Sequence, residues 1–377
     1  MKLQRKSGLR ALAVGAAAVS GALVLTACGS DNNSGSSSPS TGASNAAAGS
    51  IKCGSKGNLL ASGSTAQQNA VNVWVKNYMQ ACPGTQINYK GTGSGAGVTE
   101  FLQGSTAFAG SDSALKPDQI AQSKKVCGGT GQAIDLPMVG GPIAVGYNVP
   151  GVSNLVLDAP TLAKIFNGKI VKWNDPAIAK LNPSAKLPST AIQAFHRSDE
   201  SGTTDNFTKY LIGAAGSEWP YSGGKAWQAK GGQSAQGSSG VAAQVKQTAG
   251  SIGYFELSYA TAGSIPTVAI NTGASQPVQA SSDNASKMIA DAKIVGTGDD
   301  LSLKLDYATK ADGAYPLTLV TYEIVCDKGN KSATLGATKG FLSYIAGSGQ
   351  QGLSGQGYAP IPAEINAKVR STIDSLS

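Results

Sequence analysis

Three times in this chain a short segment ends in a turn of glycine with serine or threonine from which a helical pattern starts, and this junction restricts the fold most. The turns are Gly63-Ser64-Thr65-Ala66, the run from Gly91 to Gly97, and Ser201-Gly202-Thr203. Residues 57–61 and 86–89 carry the apolar pattern of strands, and each precedes a helical pattern. The first helix places Val71, Trp74, Val75 and Tyr78 at i, i+3, i+4 and i+7, a core-facing stripe. Strands alternating with helices imply βαβ units and a parallel or mixed sheet, hence an α/β fold. The apolar run 134–147 is broken by Gly140-Gly141-Pro142 and is expected to be either a strand pair or a crossing between two lobes. A second apolar run, 317–326, returns the chain to the first lobe, and 223–240, rich in Gly, Ser and Gln, is expected to be a long surface loop.

The junctions also carry chemistry. A helix start leaves backbone N–H groups without intrahelical partners and holds the positive end of the helix dipole, so it attracts anions. In His196-Arg197-Ser198-Asp199-Glu200-Ser201-Gly202-Thr203-Thr204 a guanidinium lies beside such a start. Arg197 can give two parallel charge-assisted bonds, Ser201 and Thr203 add hydroxyls, and Asp199 can orient the guanidinium. Serine, threonine and aspartate also cap ordinary helices, so the reading depends on convergence of the turns. The 91–97 turn lacks the lysine of a P-loop, which argues against nucleotide hydrolysis. Asp112 decides which anion fits. A carboxylate facing an anion site repels its ligand unless the ligand brings a proton. Monohydrogen phosphate brings one and sulfate at neutral pH does not.

The ends and the composition narrow the class. Residues 1–27 follow the plan of a secretory leader, with Lys2, Arg5, Lys6 and Arg10 ahead of an apolar run too short for a stable membrane span. Leu25-Thr26-Ala27-Cys28 resembles a bacterial lipobox, in which Cys28 is diacylated and becomes the mature N-terminus, anchoring the protein to the outer face of the cell membrane. Residues 28–54 are expected to be a flexible tether, almost wholly small and polar as far as residue 50. The formal charge of +8 includes the four basic residues of the leader, and their removal leaves +4. No basic stripe with interleaved aromatics exists, so nucleic acid is not an expected partner. Cys53, Cys82, Cys127 and Cys326 are an even set in an exported chain, which favours disulfides over metal. They allow three pairings. Cys53–Cys82 with Cys127–Cys326 is preferred because Cys53 precedes the first strand and Cys82 follows the first helix, ends that meet in a β–α unit, but the others stay open. His196 is the one histidine, so a His-based metal site or a Ser/His/Asp triad lacks raw material.

From about residue 57 to the C-terminus the chain resembles the phosphate-binding lipoproteins of Pst-type ABC importers. Besides the turns, the segment 162–176, which includes Phe166-Asn167-Gly168-Lys169 and Trp173-Asn174-Asp175-Pro176, carries the resemblance. Leu181-Asn182-Pro183, Leu187-Pro188 and Gly250-Ser251-Ile252-Gly253-Tyr254 continue it. The resemblance implies a two-lobed type II periplasmic-binding-protein fold with mixed sheets and two crossing strands as hinge. Lobe I is expected at 55–139 plus 317–377 and lobe II at 140–316. It implies phosphate held by Thr65, Ala66, Ser94, Asp112, Arg197, Ser201, Gly202 and Thr203, with Ser64, Asp199 and His196 behind or beside them. Delivery to a membrane permease by a monomer without metal or cofactor is implied as well. Ala66 stands where many relatives carry Phe, and Glu200 where Gly is usual. The alternatives are a binder of another tetrahedral oxyanion, sulfate or molybdate, and an exported phosphatase.

Overall fold

The parallel start of the sheet follows from the first two βαβ units. In the computed structural model, which describes residues 51–377, β1 (Gly57–Gly63), α1 (Gln68–Ala81), β2 (Thr85–Lys90), α2 (Ser94–Leu102) and β3 (Phe108–Ser111) form them. β1 pairs in parallel with β2 on one side and β3 on the other. α1 buries Val71, Trp74 and Tyr78 against the sheet, as its apolar stripe predicts, and leaves Val75 partly exposed. The Trp74 indole N–H, buried with its ring, donates to the carbonyl of Gly349 at 2.7 Å.

After α3 (Pro117–Ser123) the chain enters β4 (Ala133–Asn148), one continuous strand of 16 residues. The Gly-Gly-Pro break therefore marks a crossing and not a strand pair. β5 (Val156–Asp158), α4 (Ala159–Phe166), α5 (Pro176–Leu181), β6 (Gln193–Arg197), α6 (Gly202–Ala215), β7 (Gln233–Ala235), α7 (Gly237–Gln247), β8 (Ser251–Glu256), α8 (Leu257–Gly263) and β9 (Ala269–Asn271) follow. The chain then forms α9 (Ser282–Ala290), the two-residue strands β10 (Lys293–Ile294) and β11 (Leu303–Lys304), β12 (Thr318–Cys326), α10 (Ser332–Ala346) and α11 (Ala363–Ser375). Eight strands make one mixed sheet in the order β2-β1-β3-β12-β4-β8-β6-β7. β4 pairs antiparallel with β12 through residues 133–142 and then with β8 through 143–148, so it changes partners at Pro142/Ile143.

Two large cores lie on either side of that point. One gathers Leu59, Trp74, Phe108, Met138, Val320 and Phe341, and the other Val145, Leu162, Trp173, Phe207, Tyr254 and Leu317. Ala285, Ile289 and Leu301 pack into the first core although they come late in the intervening sequence. The family-like segment around residues 158–176 builds the second core. Asp158 and Asp175 cap α4 and α5 with a proline in each first turn, and the Trp173 N–H donates to the Gly250 carbonyl at 2.9 Å.

The segment 223–240 departs from the expected surface loop. Residues 233–235 pair in parallel with β6, and α7 begins at Gly237. A three-residue polar strand has too short a pattern to be seen by alternation. Cys53–Cys82 and Cys127–Cys326 are bonded, each with 5.4 Å between Cα atoms. The first disulfide, with the Gly54 N–H donating to the Tyr78 hydroxyl at 2.9 Å, fixes the chain to the fold from Cys53 onward. The expected leader, Cys28 and the tether up to residue 50 lie outside the described residues. Among the described residues no helix is long and apolar enough to cross a membrane.

Candidate functional site

All three glycine turns, at the carboxyl ends of β1, β2 and β6, meet, with Asp112 just after β3 among them. Gly63, with φ +136°, makes the first possible: a Cβ there would lie 2.0 Å from the Gly110 carbonyl oxygen. The Ser64 N–H donates to that oxygen at 2.8 Å, and the Ser64 hydroxyl accepts from the Ala66 N–H at 3.0 Å. The carbonyls of Thr65 and Ala66 are held by the hydroxyls of Tyr259 (2.7 Å) and Tyr358 (2.8 Å). Gly93, with φ +91°, delivers Ser94 as the first residue of α2. In the third turn the Ser201 hydroxyl caps α6 by accepting from the Thr204 N–H at 3.2 Å.

The eight residues expected to hold the ligand come together. Thr65, Ala66, Ser94, Asp112, Arg197, Ser201, Gly202 and Thr203 are all buried. The Ser94 hydroxyl donates to Asp112 Oδ2 at 3.1 Å and accepts from the N–H groups of Asp112 and Gly202, both at 3.2 Å. Asp112 Oδ1 accepts from the hydroxyls of Ser64 and Thr321, the latter at 2.7 Å. Burial pushes the Asp112 carboxyl up, and these hydrogen bonds with the charge of Arg197 act against it.

The Arg197 guanidinium is fixed on one edge by Asp199, from Nε to Oδ1 at 2.8 Å and from its NH2 group to Oδ2. Its NH1 group donates to the hydroxyls of Ser238 (3.0 Å) and Thr203 (3.4 Å). Burial alone would lower its pKa; the bonds to Asp199 and the charges of Asp199 and Glu256 raise it instead. Asp199 is correspondingly held below the usual carboxylate range, the Arg197 contacts overcoming the opposing effect of burial. His196 turns away from this centre. Its ring stacks on Trp227, with centroids 4.8 Å apart and planes 9° apart, and burial lowers its pKa. The exposed Glu200 lies over Gly95, whose N–H donates to its carbonyl at 3.0 Å; a Cβ on Gly95 would meet the Glu200 Cβ at 2.4 Å.

Four further residues belong to this centre. Ser238 touches Arg197 and also Thr65, whose Oγ1 lies 3.0 Å from its hydroxyl. Thr321 steadies Asp112, and the carboxylate of Glu256 accepts from the Thr203 hydroxyl at 2.7 Å. Lys225 accepts the Ser201 N–H on its carbonyl at 3.0 Å, and its ammonium feels the charges of Asp205, Asp112, Asp135 and Glu200. A polar residue inside the apolar run 317–326, and an acid just past Gly250–Tyr254, are the sequence signals for Thr321 and Glu256. Nothing local marks Ser238 or Lys225. A guanidinium, hydroxyls and helix-start amides around one point can bind an anion, and Asp112 can accept a proton from it. Among the described residues no cluster of three His, Cys, Asp or Glu side chains is placed to hold a metal.

Residues 36–348 match the model of a PBP superfamily domain. The chain is 46% identical over 380 residues to the phosphate-binding protein PstS 3 of Mycobacterium tuberculosis (strain ATCC 25618 / H37Rv), covering 100% of both chains. It is 45% identical to the phosphate-binding protein PstS 3 of Mycobacterium leprae (strain TN), over 94% of this chain and 95% of that one. Among solved structures, the phosphate-bound periplasmic phosphate-binding protein PfluDING superposes with a TM-score of 0.69 at 19% identity, over 83% of this chain and 93% of that one. A phosphate-binding protein from Stenotrophomonas maltophilia gives a TM-score of 0.66 at 16% identity, over 83% and 93%. At those identities the two structures establish the shared fold.

Proposed function

This chain belongs to the PBP superfamily and, within it, to the family of phosphate-binding proteins that its mycobacterial relatives represent, and from that premise we propose that it binds inorganic phosphate outside the cell for an ABC importer. The ligand is held by Thr65, Ala66, Ser94, Asp112, Arg197, Ser201, Gly202 and Thr203. The observation that carries this reading is Asp112, a buried carboxylate among the donors of an anion site. It is a defect for sulfate or molybdate, which have no proton to give, and an acceptor for the P–OH of monohydrogen phosphate.

Two lobes close on the ligand about β4 and β12, with the partner change at Pro142/Ile143 as one hinge point. The segment 282–305 goes with the lobe of the first core. Cys28 carries the lipid anchor, and the closed monomer docks on a membrane permease. It acts as a carrier rather than a phosphatase. Calorimetric titration of the ligand-stripped protein with phosphate, arsenate and sulfate tests the reading. Phosphate and arsenate should bind and sulfate should not; tight sulfate binding would refute it.

A further inference from the structure

Glu256 is the acid of this site that the binding scheme does not use. It ends β8 opposite Ile143, where β4 changes partners, and is 1% exposed. Its Oε1 accepts from the Thr203 hydroxyl at 2.7 Å, and its Oε2 is buried with no hydrogen-bond partner. Asp112 differs: its two oxygens accept from three hydroxyls, each of which favours the ionised form. Glu256 has one such donor at normal geometry.

The groups facing Glu256 come from every side. Arg197 of β6 supplies the facing positive charge, and Asp199 already engages it through two bonds. Asp112, after β3, is a like charge, and the hydroxyls of Tyr259 in α8 and Tyr358 lie within its field. The Ser238 hydroxyl of α7 also faces it. Burial, then Asp112, pushes the Glu256 carboxyl up against the pull of Thr203, Ser238 and Arg197. An oxyanion entering beside Arg197 adds negative charge and raises the proton affinity of Glu256 further.

The consequence falls on Thr203. With Glu256 ionised, the Thr203 hydroxyl gives its one proton to the carboxylate and turns only lone pairs to the anion. With Glu256 protonated the bond can reverse, and the Thr203 proton is released toward the ligand. We propose that Glu256 is a positioning residue that carries a proton when the site is filled, donating it to Thr203 Oγ1 so that the Thr203 hydroxyl donates to the bound anion. This rests on the phosphate reading above and adds a proton to it: binding takes up a proton wherever the empty site has Glu256 ionised. Affinity assisted in this way is fully present at low pH and is lost as pH rises through the range in which Glu256 ionises.

The test uses Glu256→Gln, whose amide donates to Thr203 Oγ1 at every pH. Phosphate affinities of wild type and E256Q are compared by titration from about pH 6 to about pH 9.5, and their ratio cancels the ionisation of phosphate itself. E256Q should bind as wild type does near pH 6, and wild type should fall behind it by about threefold or more at the alkaline end. In a Thr203→Val background the two curves should run parallel. Parallel curves with Thr203 present, or an E256Q that binds far more weakly at every pH, overturn the proposal. Should E256Q not fold, the binding enthalpy of wild type in two buffers of different ionisation enthalpy, measured at several pH values between about pH 6 and about pH 9.5, reports proton uptake directly, and no uptake at any of them would overturn it equally. A wild type that does not bind phosphate refutes the phosphate reading instead.

Discussion

The N–H of Gly202 donates to the hydroxyl of Ser94, 108 residues earlier in the chain, at 3.2 Å. The contact joins the helix start after β6 to the helix start after β2, and it is possible only because position 202 has no side chain. A Cβ there would lie 2.5 Å from the Asp112 Cβ and 2.7 Å from both Asp112 Oδ2 and the Ser94 hydroxyl.

Gly202→Ala is therefore expected to weaken phosphate binding by about 1.4–2.8 kcal/mol, ten- to a hundredfold, because the two turns can no longer close on each other. The ligand-free protein should unfold close to the wild-type temperature. Titration alongside thermal unfolding separates the two effects, and unchanged affinity would contradict the arrangement.

Arg197→Ala should cost about 2–5 kcal/mol of phosphate affinity, because it removes the buried guanidinium and leaves Asp199 and Glu256 without its charge. Arg197→Lys should recover only part of it, since an ammonium cannot hold Asp199, Ser238 and Thr203 with one planar fork. An Arg197→Ala protein that binds phosphate within a factor of about three of wild type would sink the assignment.

Asp112→Asn should admit sulfate. The amide oxygen can keep the bonds from Ser64 and Thr321, while the amide N–H2 replaces the oxygen that Ser94 contacts and becomes a donor for an unprotonated anion. Competition titrations at neutral pH should show measurable sulfate binding and a narrowed preference for phosphate. Complete rejection of sulfate by the variant would show that Asp112 does not meet the ligand proton.

Asp135, 1% exposed on β4, accepts from the Leu115 N–H at 2.9 Å and leaves Oδ1 without a partner. Burial and the charge of Asp300 push its carboxyl up to about 8. The unfolded chain ionises near the ordinary value and the folded one does not, so Asp135 costs stability progressively as pH rises from about 4 to about 8. Asp135→Asn should be more stable than wild type at pH 8, by on the order of 3 kcal/mol relative to their difference at pH 5. Denaturant unfolding at the two pH values checks this, and a difference independent of pH would contradict it.

The two disulfides should not contribute equally. Cys127–Cys326 closes 199 residues and Cys53–Cys82 closes 29. In the chain-entropy account these constrain the unfolded state by about 5 and about 4 kcal/mol. Replacing Cys127 and Cys326 by Ser should lower the denaturation midpoint more than replacing Cys53 and Cys82. The reverse order would place the stabilisation in the native state.

The local chemistry of the site was legible because it is local. The glycines at 63 and 93, the cap at Ser201 and the stripe of α1 are each set within a few residues, where backbone sterics, unpaired N–H groups and helical periodicity act. The preferred disulfide pairing followed from the proximity of ends in one β–α unit. The sequence by itself thus determined the α/β alternation and the three anion-attracting turns.

Tertiary structure alone decided which distant groups complete them. Thr321 reaches Asp112 across 209 residues and Ser238 reaches Thr65 across 173. Whether 134–147 was a strand pair or a crossing, and that Ala285 and Ile289 would join the first core, depended on the order of strands in the sheet. A hydroxyl or carboxylate acquires its partner and its proton affinity from what the sheet brings against it, and no spacing along the chain encodes that. Glu256 is an ordinary acid in the sequence and a buried one with a bare oxygen in the fold.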